Sequence, residues 1–230
     1  MTTLERSTLR VATGRIVRLV TPPILLMPID WWRRTQRVQA IEENPDHGLP
    51  FDGKGQLWVA LIFHSKRYAE WGAGESTAFA LRETTCRVRA VDTSSEWLER
   101  TLEPWESNPR IQQQHVNLGR LLDWGRPASY RFRDRIDEYL SGPFDGGFNP
   151  DLVLVDGRFR VACFLFALLR AEPGSFIVFD DYRNREHYHI VEEVLQPIAI
   201  SGRQAVFVRP EDIDEAFVRR LIADFKHVMD

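Results

Sequence analysis

YAEWGAGEST, Tyr68 to Thr77, sets two glycines two positions apart, behind an acidic residue and ahead of a Ser-Thr pair. Glycines spaced this way let the backbone turn tightly and approach a ligand that a Cβ would block, as in nucleotide-binding turns between a strand and a helix. The flanks agree with that placement. KRYAEW (66–71) reads as the entering strand, although it is less apolar than a central strand is expected to be, and STAFALRE (76–83) as the departing helix.

Outward from the loop, short apolar runs alternate with helical patterns, the signature of an α/β sheet. QLWVALIFHS (56–65) is apolar, and periodicity does not choose between a helix and a buried strand. CRVRAVD (86–92) alternates like a strand, SSEWLERTLEPW opens a helix with a serine cap, and IQQQHVNL (111–118) is a weaker strand. PASYRFRDRIDEYLSG predicts a helix started by Pro127 and stopped by Gly142. PDLVLVDG (150–157) is the clearest core strand, and the almost wholly apolar FRVACFLFALLR after it predicts a buried helix. GSFIVFDDY (174–182) is the next strand, and NREHYHIVEEVL sets Ile190, Val191, Val194 and Leu195 on one helical face. PIAIS and RQAVFVRP flank Gly202 as an antiparallel hairpin, and Ile213, Phe217, Leu221 and Phe225 mark a last amphipathic helix.

The fold expected is a doubly wound, mostly parallel α/β sheet closed by that hairpin. Such sheets bind ligands at the carboxyl ends of their strands. Glu70, Asp92, Asp156, Asp180 and Asp181 all fall at those ends, which a random scatter of surface acids would not produce.

Composition narrows the field. Hydrophobic residues at 43% and charged residues at 27% are ordinary globular values over 230 residues. Thirty basic against 33 acidic residues, a formal charge of −3, argue against a nucleic-acid binder. Cys86 and Cys163 sit in apolar segments outside any C-x-x-C pair and read as buried free thiols of a reducing cytoplasm. Residues 1–55 read as a helical extension, with the ligand-binding domain over 56–230. Within the extension, RIVRLVTPPILLMPIDWWRR (15–34) is broken by arginines, a proline pair and Asp30, so no run approaches the ~20 residues of a membrane span. This arm suits packing on the domain or on a second copy as a homodimer, and Trp31-Trp32-Arg33-Arg34 suits weak membrane-surface contact.

EWGAGEST, VRAVDTSSEWL, DLVLVDG, FIVFDDY and the closing hairpin stand in an order that resembles the class I S-adenosylmethionine-dependent methyltransferases over residues 56–210. The resemblance implies a Rossmann-like fold and S-adenosylmethionine as cofactor. It assigns Gly72, Ala73, Gly74 and Ser76 to the cofactor loop and Glu70 to the amino-acid end of the ligand. Asp92, twenty positions after Gly72, falls to the ribose with Thr93 beside it, and Asn117 and Leu118 to adenine, with Trp124 a neighbour. Asp156 completes that set. Ser76 in place of a third glycine suits a sulfonium cofactor, which has no pyrophosphate to seat on a helix N-terminus.

A metal-dependent subset that includes catechol and caffeoyl-CoA O-methyltransferases carries acids after the fourth and fifth strands. Asp156, Asp180 and Asp181 match those positions and imply Mg²⁺ or Ca²⁺ on oxygen ligands, with Asp156 and Asp181 as catalytic acids. Against this, Arg158 and Arg160 follow Asp156 closely enough to neutralise it, and Arg183 or Arg185 is placed to pair with Asp181. His187 and His189 read as a general base or as a solvated helix start. The activity implied is methyl transfer to a small-molecule acceptor, at oxygen. A cofactor-binding scaffold without turnover is the alternative. An NAD-dependent oxidoreductase is disfavoured by Ser76 and by the lack of a hydride-chemistry set such as Tyr-x-x-x-Lys.

Overall fold

A computed structural model of the chain describes residues 50–229. These residues belong to one compact unit that begins at Gly48. The extension expected to be helical, with its dimer and membrane contacts, lies outside the described residues apart from its last turn. In that turn Phe51 packs edge-on against Trp58 at 5.5 Å, which ties Pro50–Gly53 to the domain.

Seven strands form one sheet: β1 (Arg67–Trp71), β2 (Arg87–Asp92), β3 (Ile111–His115), β4 (Leu152–Val155), β5 (Phe176–Phe179), β6 (Ala199–Ser201) and β7 (Gln204–Val208). Their order is β3-β2-β1-β4-β5-β7-β6. The first five run parallel, and β7 lies antiparallel between β5 and β6. The order reverses between β1 and β4, the switch point at which open α/β sheets form a ligand crevice. The register aligns the strand ends there, with Trp71 opposite both Val91 and Val155, and Val155 opposite Phe179. Because β7 runs the other way, its first residues reach this same edge, and Phe179 faces Ala205.

The undecided apolar run at 56–65 is a helix, α1 (Gln56–Ile62), which buries Trp58, Val59 and Ile62. Trp58 packs on Tyr68 of β1 and on Phe79 of α2 (Glu75–Glu83) at 5.5 and 5.6 Å. Side chains alternate along a strand, so Tyr68 and Glu70 share that face while Trp71 points to the other. There its indole donates to the Tyr139 carbonyl at 2.8 Å. Polar as β1 looked, Tyr68 through Trp71 are all buried, as a central parallel strand requires. Ser94 caps α3 (Ser95–Leu102) by accepting from the Trp97 amide. The apolar α5 (Arg160–Arg170) is buried against the sheet, and α6 (Glu215–Phe225) closes the chain. Both cysteines are buried free thiols. No helix among the described residues is long and apolar enough to cross a membrane.

Two elements differ from expectation. The helix expected from Pro127 begins only at α4 (Ile136–Ser141), after a 3-10 turn at Arg133–Arg135. Leu122 donates to the Arg126 carbonyl at 2.7 Å and Ala128 to that of Arg120 at 2.8 Å, so Pro127 and Ala128 belong to a small hairpin instead. The α-helix ends at Ser141, and Gly142, whose Cβ would lie 2.7 Å from Val91, opens a 3-10 helix with Pro143. Residues 186–193 form a 3-10 rather than an α-helix. Its fully buried side chains, Tyr188 and Val191, are three apart, the spacing that a 3-10 helix eclipses.

Candidate functional site

β1 ends at Trp71, and Gly72 then turns with φ +92°. A Cβ at Gly72 would lie 2.9 Å from the Asp156 carbonyl carbon and from the Gly157 amide, so the loops after β1 and β4 touch through backbone alone. Gly74 is extended (φ 178°), a conformation open to any residue, and its amide donates to Thr77 Oγ1 at 2.9 Å. Only the first glycine is therefore demanded by conformation.

The loop is clamped from β2 and α3. Asp92 Oδ2 accepts from the Ala73 amide at 3.0 Å, and its Oδ1 accepts from the Ser94 amide at 2.8 Å. The Trp97 indole donates to the Ala73 carbonyl. Burial pushes the Asp92 carboxyl above the ordinary aspartate range, while these amides pull it back.

A cavity of about 870 Å³ opens above this edge, toward the upper end of pockets that take small molecules and cofactors. Gly72, Ala73, Gly74, Ser76, Asp92, Thr93 and Asp156 line it. Glu70 does not. It has no exposed surface, and Tyr68, Ser76 and Thr77 donate their hydroxyls to its two oxygens. Burial pushes its carboxyl up to about 7 against those three hydrogen bonds. Glu70 therefore acts through Ser76 and Thr77, holding the start of α2, rather than by reaching a ligand.

Asn117 and Leu118 are also off the cavity. Asn117 is exposed and its side chain accepts from the Gly119 amide at 2.8 Å, a turn role, while Leu118 is in the core. The wall beside Asp92 comes instead from Trp124 and Gly125, docked by Thr93 Oγ1 donating to the Gly125 carbonyl at 2.8 Å. Trp124 is 88% exposed and left-handed at φ 61°. Phe51, Asp52 and Asp181 are also left-handed non-glycine residues lining the cavity. Each such residue costs about 1–3 kcal/mol, and such strain concentrates at functional sites.

At the other end stand the three aspartates, with ligand oxygens within 4.8 Å of one another. The donor set nonetheless does not fit Mg²⁺ or Ca²⁺. Arg160 pairs with Asp156 at 3.0 Å and with Asp181 at 3.2 Å. Arg185 and Arg203 each pair with Asp181 at 2.9 Å, and Arg203 also forks onto Asp180. Gln204 donates to the remaining oxygen of Asp180 at 3.1 Å, and Asp180 does not line the cavity. A divalent cation here would face three guanidiniums across three carboxylates already engaged. The metal expectation at Asp156, Asp180 and Asp181 is thus corrected.

Asp181 is corrected as a catalytic base as well, because arginines engage both its oxygens. Asp156 keeps a face on the cavity, and burial pushes its carboxyl up to about 8 while Arg160 pulls it down. His187 and His189 do not line the cavity, and His189 stacks on Tyr182 at 4.7 Å.

Sequence reasoning missed Trp97, and also Pro50–Asp52, Tyr139, Arg185 and Arg203, as cavity residues. The turn-forming PFDG could have signalled the first group. Nothing local marks Arg203, which antiparallel β7 delivers to the edge.

No protein-family model and no curated protein matches the chain. Among solved structures, a methyltransferase-like protein from Silicibacter pomeroyi is 29% identical, with a TM-score of 0.67 over 78% of this chain and 97% of that one. The N-methyltransferase NodS from Bradyrhizobium japonicum, in complex with S-adenosylhomocysteine, is 15% identical at a TM-score of 0.48, over 77% of this chain and 99% of that one. The O-methyltransferase TomG from Streptomyces achromogenes, in complex with S-adenosylmethionine, is 17% identical at 0.48, over 77% of this chain and 89% of that one. The last two likenesses are too remote to carry an argument. The strand order, the glycine loop against β4 and the likeness to the Silicibacter pomeroyi protein together place this chain in the class I S-adenosylmethionine-dependent methyltransferase fold.

Proposed function

We propose that the chain binds S-adenosylmethionine and transfers its methyl group to a small-molecule acceptor, at oxygen. The observation that carries the reading is Asp92 at the end of β2, its two oxygens holding the Ala73 and Ser94 amides at the cavity wall. A carboxylate offers about four lone-pair sites, so the two amides leave capacity for both ribose hydroxyls. Trp97 and Trp124 line the cavity near it and present aromatic surface to a purine. The Gly72–Gly74 backbone and the start of α2 suit the amino-acid end. These residues fit the cofactor, which supplies an already activated methyl group. The protein has mainly to align the acceptor and exclude water.

Asp156 sits where the loops after β1 and β4 meet, and it takes the acceptor hydroxyl's proton. A carboxyl raised to about 8 is a matched base near neutral pH. A net charge of −3 favours a small acceptor over a nucleic acid.

Isothermal titration with S-adenosylhomocysteine tests the reading directly, and a folded chain that fails to bind it would refute it. Asp92→Ala should weaken that binding at least about tenfold, since removing hydrogen bonds to a charged group costs about 1.5–3 kcal/mol. Unchanged affinity would remove the ribose assignment. A cofactor-binding scaffold would bind equally well yet methylate nothing in an acceptor panel, so one productive acceptor excludes it.

A further inference from the structure

The cavity has two ends of opposite chemistry. The end at Asp92 and Trp97 is acidic and aromatic, whereas Arg160, Arg185 and Arg203 gather with the aspartates at the other. These three guanidiniums face three carboxylates, Asp156, Asp180 and Asp181. The donors are unevenly used. Arg160 is almost fully buried and is consumed as a strut, reaching the carbonyls of Gly157, Asp180 and Asp156 and two of the carboxylates. Arg203 commits Nε and Nη2 to Asp180 and Asp181. Its Nη1 has no partner among the described residues, and its side chain is 25% exposed at the cavity. Arg185 commits Nη2 to Asp181 and Nη1 to the Tyr188 hydroxyl, leaves Nε unpartnered among the described residues, and is 40% exposed.

We propose that this end binds an oxyanion, so that the methyl acceptor is a small molecule carrying a carboxylate or a phosphate held by Arg203 and Arg185. The proposal rests on the methyltransferase reading and names the substrate class of that site. Three features support it. First, guanidiniums fork onto planar oxyanions and match both groups. Second, the arginines are already held by Asp180 and Asp181, so less side-chain freedom remains to be lost on binding. Third, Asp180 and Asp181, two of the three carboxylates that a divalent cation would need, are taken up in fixing those arginines. The cluster therefore attracts an anion directly where a cation would otherwise have mediated.

The experiment titrates the full chain, saturated with S-adenosylhomocysteine, with benzoate, inorganic phosphate and benzamide, a neutral isostere of benzoate, at low salt. At least one anion should bind about tenfold or more tighter than benzamide, the scale of one charge-assisted hydrogen bond. Benzoate ahead of phosphate identifies a carboxylate acceptor, and the reverse order a phosphate ester. Arg203→Gln and Arg185→Gln should each erase most of that preference without changing S-adenosylhomocysteine affinity. If Arg203→Gln fails to fold because it strips buried Asp180, the more exposed Arg185→Gln carries the test. Benzoate and phosphate binding no better than benzamide, with S-adenosylhomocysteine still bound, would overturn the anion site and leave the methyltransferase reading standing. Failure of S-adenosylhomocysteine to bind would overturn both.

Discussion

Glu70 lies fully buried one position before the end of β1, and three hydroxyls are all that solvate its two oxygens. The folded chain holds its proton up to about pH 7, against an ordinary 4.5. This group therefore favours folding most below pH 4.5, and that advantage drains away as pH rises to about 7. Glu70→Gln removes the titration while keeping polar contacts, because the hydroxyls can turn to accept. The variant should gain on the wild type by about 2.4 kcal/mol between pH 5 and pH 7.5, since each tenfold change in proton affinity between folded and unfolded chain is worth about 1.4 kcal/mol. Urea unfolding at the two pH values measures this, and an unchanged gap would remove Glu70 as the titrating group. Asp156 predicts a different dependence. As a base it works only when ionised, so turnover should climb with pH and level off above about 8. Asp156→Asn should lower kcat by about 10²–10⁴, the usual contribution of a positioned base. A pH profile that is flat from 6.5 to 9 would exclude this role.

Strands and loops set where such residues meet. Gly72 and Gly157 pass each other so closely that a Cβ on Gly72 would strike backbone, which cannot swing aside. Gly72→Ala should therefore lose at least about 2 kcal/mol, through overpacking and a left-handed φ. A thermal shift below 2 °C would show that the two loops can part. The same elements explain what was legible. The glycine loop, the strands and the Asp156–Arg160 pair depend on neighbours within a few positions, so their pattern is written locally. The turn at 127–132 was not legible because a cross-hairpin pairing overrides its helix propensity. Arg203 was hidden for a related reason. Its meeting with Asp180 depends on β7 running antiparallel to β5, a property of the sheet rather than of either segment.

At the scale of the whole molecule, burial falls from the middle of the sheet to its edges. β1 and β4 are buried nearly throughout, whereas Gln112 and Gln113 of β3 are exposed and β6 is only half-covered. Opening energies follow burial and hydrogen bonding. Native-state hydrogen exchange should find the slowest amides in β1 and β4 and much faster ones in β6. Protection in β6 equal to that in β4 would contradict this grading.

The switch point between β1 and β4 has a consequence for how the chain is made. The amide of Asp151, at the entry to β4, donates to the Arg67 carbonyl, and these residues stand 84 positions apart. At about 5–20 residues per second, a ribosome needs on the order of 4 to 17 s to deliver one after the other. For that interval one flank of β1, which will become the centre of the sheet, has no strand to pair with. Contacts this distant in sequence also slow folding from the unfolded state. The crevice that holds the ligand is thus also the seam where the early half of the sheet waits for the late half, and the nascent chain is most prone to aggregate while that seam stays open.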